Sequence, residues 1–211
     1  MIRTLVATCS IALATIWFAP TNAVTVQTAT PKFSHPWAAA CKVTVNLRAG
    51  LANGGSGTLI GVTENEALVL TVSHVAERVG QTATCQFSDQ KVHGYVLATH
   101  PTADLALILI ERPDGVNPVV VANANRDSGP FYLVGYPGYD RDTMRYQIGE
   151  YVDHDKETLV VTSRPEKGQS GGPAFNRYGQ VVGAISAYGP RYGYVADGAA
   201  LRELVGPYLV K

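Results

Sequence analysis

Polar and apolar residues alternate over Lys42 to Leu47, and short strand-like runs follow at Gly57 to Val62, Ala67 to Val72, Thr82 to Phe87, Val92 to Ala98 and Leu105 to Ile110. These runs are rich in β-branched and apolar residues and are separated by turn formers, a spacing that predicts a barrel or a sandwich. The stretch Gly54-Gly55-Ser56-Gly57 reads as one of the turns. Arg112-Pro113-Asp114-Gly115 breaks the series and reads as the crossing between two halves. A second series then runs through Val119 to Ala122, Phe131 to Val134, Arg145 to Val152, Thr158 to Thr162, Pro173 to Phe175, Val181 to Ala187 and Tyr192 to Ala196. Only the C-terminal end changes period. Leu201, Leu204, Val205, Tyr208 and Leu209 recur three and four residues apart, forming one face of a short helix, with Asp197 as its expected cap.

The chain has 211 residues, enough for one large or two small units around a real core, and its formal net charge is zero. No basic stretch points to nucleic acid. Arg3 followed by the apolar run Leu5 to Phe18 and the small residues Thr21-Asn22-Ala23 reads as a signal peptide over residues 1–23. That run is shorter than the roughly 20 residues a membrane-spanning helix needs, so no span is expected once the signal is removed. Residues 24–36 carry no period and read as a flexible lead-in or short pro-segment. Signal removal takes Cys9 with it and leaves Cys41 and Cys85. In a secreted or periplasmic protein such a pair is expected to form a disulfide; two buried free thiols are the competing arrangement.

Ser170 lies in Gly168-Gln169-Ser170-Gly171-Gly172. A serine hydroxyl reacts only when a base takes its proton and donors hold the oxyanion it creates, and flanking glycines let backbone N–H groups turn toward a substrate oxygen. His74 follows the apolar run ending at Ser73, where an imidazole can enter a cleft as a general base. Asp104 precedes the apolar run Leu105 to Ile110, and a carboxylate there needs hydrogen-bond partners, of which an imidazole N–H is one. Taken singly, His74 reads equally as a surface histidine and Asp104 as a turn cap. His35, His93, His100 and His154 are read as surface or satisfied core histidines.

Together, the segments "LTVSHVAE", "HPTADLALI" and "GQSGGPAFN" resemble the three signatures of chymotrypsin-type, trypsin-like serine proteases, and the flavour is that of the HtrA/Deg-like bacterial branch. The likeness covers roughly residues 54–204. It implies an all-β fold of two six-stranded antiparallel Greek-key barrels with a short C-terminal helix. The barrels would occupy residues 37–112 and 113–211, with the site between them and Cys41 and Cys85 joining two strands of the first. The resemblance also implies a His74–Asp104–Ser170 triad, an oxyanion hole from the N–H groups of Gly168 and Ser170, a polypeptide substrate, and no metal or other cofactor. Ser186, Ala187 and Tyr188 would form the strand edge that pairs with substrate, with Arg164 and Tyr194 near the specificity pocket. The oligomeric state is left open.

Two departures from the digestive enzymes matter. Gln169 stands where they carry an Asp that binds a freed N-terminus, so activation by that route is not expected. No peptide-binding PDZ module is recognisable after the protease segment, so regulation by one in the same chain is not expected either. Residues 163–168 contain no Asp, which argues against a preference for Lys or Arg. A lipase-type elbow needs its Asp and His after the serine, and no histidine follows Ser170. No His-Glu-x-x-His zinc motif is present. The competing reading is a protease-fold binding or scaffold protein that no longer cleaves.

Overall fold

The computed structural model describes residues 24–25, 36–47, 50–122, 129–138, 143–155 and 157–210. The expected signal peptide and nearly all of the lead-in lie outside these residues. The strands are β1 (Val24–Thr25), β2 (Ala40–Asn46), β3 (Ala52–Val62), β4 (Glu66–Thr71), β5 (Thr82–Phe87), β6 (Gln90–Thr99) and β7 (Ala106–Glu111) in the first half. The second half carries β8 (Phe131–Gly135), β9 (Arg145–Gly149), β10 (Tyr151–Asp155), β11 (Thr158–Val161), β12 (Pro173–Phe175), β13 (Val181–Tyr188) and β14 (Gly193–Asp197). Helix α1 (Gly198–Val205) and β15 (Leu209–Val210) follow, β15 pairing in parallel with β1.

Strands β2 to β7 close into an antiparallel barrel in the order β2-β3-β4-β7-β6-β5. The two-residue period read along β2 and β5 is real: Cys41, Val43 and Val45, and likewise Ala83, Cys85 and Phe87, point into the core. β4 and β7 are buried on nearly both faces, which is why their sequences run almost continuously apolar.

The second half forms a sheet in the order β10-β11-β14-β13-β12-β8-β9. It is not a second closed six-stranded ladder. The expected run Arg145 to Val152 breaks at Glu150, which sends β9 to one edge and β10 to the other. Glu150 links the two edge strands and continues the β10–β11 register: its N–H donates to Thr162 Oγ1 at 3.0 Å, and Thr162 N–H donates to its carbonyl at 3.0 Å. The curl encloses a separate apolar core that includes Phe131, Leu133, Leu159, Val161, Ile185 and Val195.

Three other expectations are corrected. Gly54-Gly55-Ser56-Gly57 is no turn but the middle of β3, in register with Thr44 to Cys41. Val119 to Ala122 is an extended connector with one isolated bridge, Val121 to Val181; its Val119 N–H reaches Leu59 of the first half while its Ala122 N–H reaches Val181 of the second. Asp197 occupies the N-cap position of α1 but makes no side-chain cap bond. Its fully buried carboxylate meets His154 Nε2 at 3.1 Å instead, so the side chain is spent on β10.

Cys41 and Cys85 are buried free thiols rather than the expected bridge. Val43 is the residue opposite Cys85, so the two cysteines sit diagonally across β2 and β5. Both side chains point into the barrel core, where the thiols meet as hydrogen-bonded neighbours. Burial pushes the Cys41 thiol well above its ordinary value, and its hydrogen bond with Cys85 adds to the effect.

Candidate active site

The β4–β7 ladder sets the first part of the site. Thr71 lies opposite Ala106. Carrying that antiparallel register two residues past the strand ends brings Ser73 opposite Asp104 and places His74 beside it. Val75 N–H and Ala76 N–H both donate to the Val72 carbonyl, at 3.2 and 3.1 Å, closing the turn that presents His74.

Asp104 is held by four donors. His74 Nδ1 lies 2.8 Å from Oδ2 and Ser186 Oγ donates to the same oxygen at 2.6 Å. His74 N–H donates to Oδ1 at 3.0 Å and Ser73 Oγ at 2.8 Å. Burial alone would raise the carboxyl's pKa. The bonds from the His74 ring, Ser186, the His74 amide and Ser73 outweigh burial and hold it well below the usual carboxylate range. The Asp104 side chain is 27% exposed and that of His74 48%, so the carboxylate is largely shielded while the ring faces open space.

A carboxyl whose folded pKa is depressed stabilises the fold above its unfolded value, near 4, and loses that contribution as pH falls toward the folded value. The neutral isostere Asp104→Asn should therefore melt below the wild type at pH 7, with the gap shrinking below about pH 4. Thermal midpoints of both proteins across pH 3 to 7 check this; a gap that widens on acidification would contradict the assignment.

β3 receives the second part of the site. A Cβ at Gly55 would lie 2.7 Å from both the Ser170 carbonyl oxygen and Val75 Cγ2, so the residue after His74 and the backbone of Ser170 converge on one strand position. This is the physical reason for a glycine at position 55 of β3, while a Cβ at Gly57 would press on Val69 and Val43 of the barrel core. Next along the strand, Ser56 donates its N–H to the Ser170 carbonyl at 2.7 Å and its Oγ to the Gly168 carbonyl at 2.8 Å. It also accepts Tyr136 N–H at 3.0 Å, and it is fully buried.

The loop before Ser170 is fixed peptide by peptide. The Lys167 carbonyl accepts Gly138 N–H at 2.7 Å, and the Gln169 carbonyl accepts Gly172 N–H at 2.9 Å. In a planar trans peptide the following N–H points the opposite way, so the N–H groups of Gly168 and Ser170 turn away from these anchors. No backbone acceptor among the described residues takes either one. Gly168 has φ +99° and Gly171 φ +85°, values that favour glycine.

Gly171 also locks the serine segment to the first barrel. A Cβ there would overlap the Ser56 carbonyl oxygen and Thr71 Oγ1, which are themselves hydrogen-bonded at 2.8 Å. Gly171→Ala combines left-handed strain with overpacking, about 2 to 6 kcal/mol in sum. Its thermal midpoint should fall by about 10 °C, as calorimetry will show.

Gln169 is fully buried. Its Oε1 accepts Glu166 N–H at 2.7 Å and Gln147 Nε2 at 3.4 Å, and Ser163 Oγ donates to Gln147 Oε1 at 2.7 Å. A neutral amide network thus braces the loop where the digestive enzymes use an Asp. Of the expected substrate-binding residues, Ser186 turns its hydroxyl to Asp104. Ala187 is exposed on β13, opposite Tyr194 of β14, and Tyr188 lies opposite Gly193. The Tyr188 side chain is outside the described part of the structure. Arg164 is exposed. Its neighbours Ser163 and Pro165 close against β14 instead: a Cβ at Gly193 would sit 2.6 Å from the Ser163 carbonyl oxygen and 2.7 Å from Pro165 Cδ.

Ser73, Ser186, Ser56 and the Gln147–Ser163 pair were not identified as site residues of this kind from sequence. For Ser73 a signal existed, since it directly precedes His74. For the others the partners lie far along the chain.

A closed barrel and a curled sheet, with the serine segment docked against a strand of the barrel, define a chymotrypsin-like serine protease fold. Residues 55–183, more than half of the chain, match the family described as "Trypsin-like peptidase domain", and the chain belongs to that family. It is 26% identical over 166 residues to "Protease Do-like 2, chloroplastic" of Arabidopsis thaliana, a match that spans 72% of this chain and only a quarter, 25%, of that relative. Among solved structures it is similar to the active form of the Rv3671c protease from M. tuberculosis, with a TM-score of 0.67 and 18% identity over 95% of this chain and 94% of the other. The serine endoprotease from Yersinia pestis overlays with a TM-score of 0.64 and 19% identity, over 80% of this chain and 61% of the other. At these identities the two structures bear on the fold alone. No described helix is long and apolar enough to cross a membrane.

Proposed function

We propose that the protein is a secreted or periplasmic serine endopeptidase working through an acyl-enzyme. The observation that carries the reading is the Asp104 carboxylate, kept ionised by four donors with His74 Nδ1 at 2.8 Å, while Val75, the residue after His74, meets the Ser170 backbone at Gly55 of β3. With Nδ1–H committed to Asp104, His74 presents a bare Nε2 as base. Ser170 Oγ attacks the peptide carbonyl carbon and Nε2 takes its proton. The carbonyl oxygen becomes an oxyanion held by the N–H groups of Gly168 and Ser170. The C–N bond then breaks, His74 returns the proton to the leaving amine, and water repeats the sequence to free the acid and Ser170. Asp104 orients the ring and stabilises its charged form without itself taking the proton.

The substrate is an extended polypeptide segment added beside β13 at Ser186 to Tyr188. The contact of Ser163 and Pro165 with Gly193 favours a small residue before the cut bond. The test is labelling with a fluorophosphonate probe together with cleavage-site profiling on a mixed peptide library. Stoichiometric adduct at Ser170 and cuts after small side chains are expected. Folded wild-type protein that neither labels nor cleaves would establish the scaffold reading instead.

A further inference from the structure

We propose that His100 is a positioning residue: its Nδ1 holds the turn that delivers Asp104 to His74. The inference rests on the triad reading above and goes beyond it. His100 ends the β6 side of the connection to β7 and is only 8% exposed. Its Nδ1 faces the backbone N–H of Ala103 at 2.9 Å and that of Thr102 at 3.3 Å, with Thr102 Oγ1 at 3.4 Å.

Backbone N–H groups only donate, so Nδ1 must present its lone pair and the ring proton must sit on Nε2. The main chain completes the loop: His100 N–H donates to the Leu105 carbonyl at 2.9 Å, and Leu105 N–H to the Ala103 carbonyl at 2.8 Å. Asp104 lies between two residues whose amides are fixed this way. The imidazole does here what an Asn or Asp side chain does in an Asx-turn, from a ring rather than a short amide.

The tautomer has its own support. Nε2 is buried with no hydrogen-bond partner among the described residues, and Glu203 Oε2 of α1 lies 3.7 Å away. That is too long for a hydrogen bond but within Coulomb reach, and a carboxylate on that side favours the proton on Nε2. Helix α1 packs its Leu201 and Leu204 into the same core as Ala103 and Leu105. The C-terminal helix therefore contributes to where the orienting carboxylate sits. A histidine read as a bystander in the sequence becomes part of the support for Asp104.

Steady-state hydrolysis of a peptide substrate by wild type, His100→Phe and His100→Asn tests the proposal, each also made in an Asp104→Asn background. Phenylalanine keeps the ring volume and removes the acceptor; asparagine restores an acceptor oxygen. We expect His100→Phe to lower kcat by about 10²-fold with KM unchanged, since a misplacement of about 1 Å costs about this much. His100→Asn should return to within a few-fold of wild type. In the Asp104→Asn background His100→Phe should cost nothing further, because the two act as one unit. Full kcat in His100→Phe, or an equal loss with Asp104 already replaced, would overturn the inference. If His100→Phe does not fold, a folded His100→Asn with less than a tenth of wild-type kcat would overturn it as well. A wild type that neither cleaves nor takes the fluorophosphonate is a different result, which ends the triad reading itself.

Discussion

Ser170→Ala will leave a folded protein with no detectable covalent labelling and a turnover lower by on the order of 10⁶-fold, the loss typical when the nucleophile of such a unit is removed. Folding should be unaffected for a structural reason. The contacts that seat this segment are made by backbone atoms and by glycine space: Ser56 N–H to the Ser170 carbonyl, Gly171 N–H to the Ile185 carbonyl at 2.7 Å, and the close approach of Gly171 to Thr71. None uses the serine hydroxyl. Deleting Oγ therefore removes the proposed nucleophile and leaves the docking intact. The measurement pairs peptide hydrolysis with a melting curve. Retained hydrolysis in a variant that melts like wild type would mean the chemistry belongs to another group.

Much of the fold is legible in the sequence, and what is not has a common cause. β2 and β5 were readable because each has one buried face, so the period of two is written into Cys41, Val43 and Val45 and into Ala83, Cys85 and Phe87. The second sheet was readable strand by strand but not as a closure. The break at Glu150 that sends β9 and β10 to opposite edges is stabilised by Thr162, and no local pattern encodes that partner. The glycine run in β3 was misread because Gly and Ser usually mark turns. Here the missing side chain of Gly55 admits Ser170 and Val75, and that of Gly57 admits Val69 and Val43. Asp197 was expected to act locally as a cap, yet it serves His154, again a long-range partner. The family signatures around His74, Asp104 and Ser170 were visible because each is a short contiguous string. Ser186, 82 positions from Asp104, carries no such string. Local periodicity and motif reach as far as local physics does, and the rest is written in pairs of residues that only the fold brings together.

Asp104→Asn is expected to cost on the order of 10⁴ in kcat, the magnitude seen when the orienting carboxylate of such a triad becomes an amide. In this protein the direction of the effect follows from which donors cannot change. Oδ1 faces the His74 backbone N–H, an obligate donor, at 3.0 Å, and the Ser73 hydroxyl. An asparagine must therefore turn its carbonyl oxygen to that side, since the opposite flip would set an NH₂ against an N–H. The amide NH₂ then occupies the place of Oδ2, 2.8 Å from His74 Nδ1. The Ser186 hydroxyl can rotate to accept from it, so nothing there resists the arrangement. His74 Nδ1 must accept as well, which drives the ring proton to Nε2, the atom proposed above to take the proton from Ser170. The base is lost without any side chain moving. Nitrogen-15 spectra of the imidazole will distinguish this from simple misfolding: wild type carries the proton on Nδ1, the variant on Nε2, with the backbone spectrum otherwise retained. A variant that keeps the wild-type tautomer and still loses activity would show that Asp104 acts through the charge it supplies to the imidazolium rather than through the tautomer it selects.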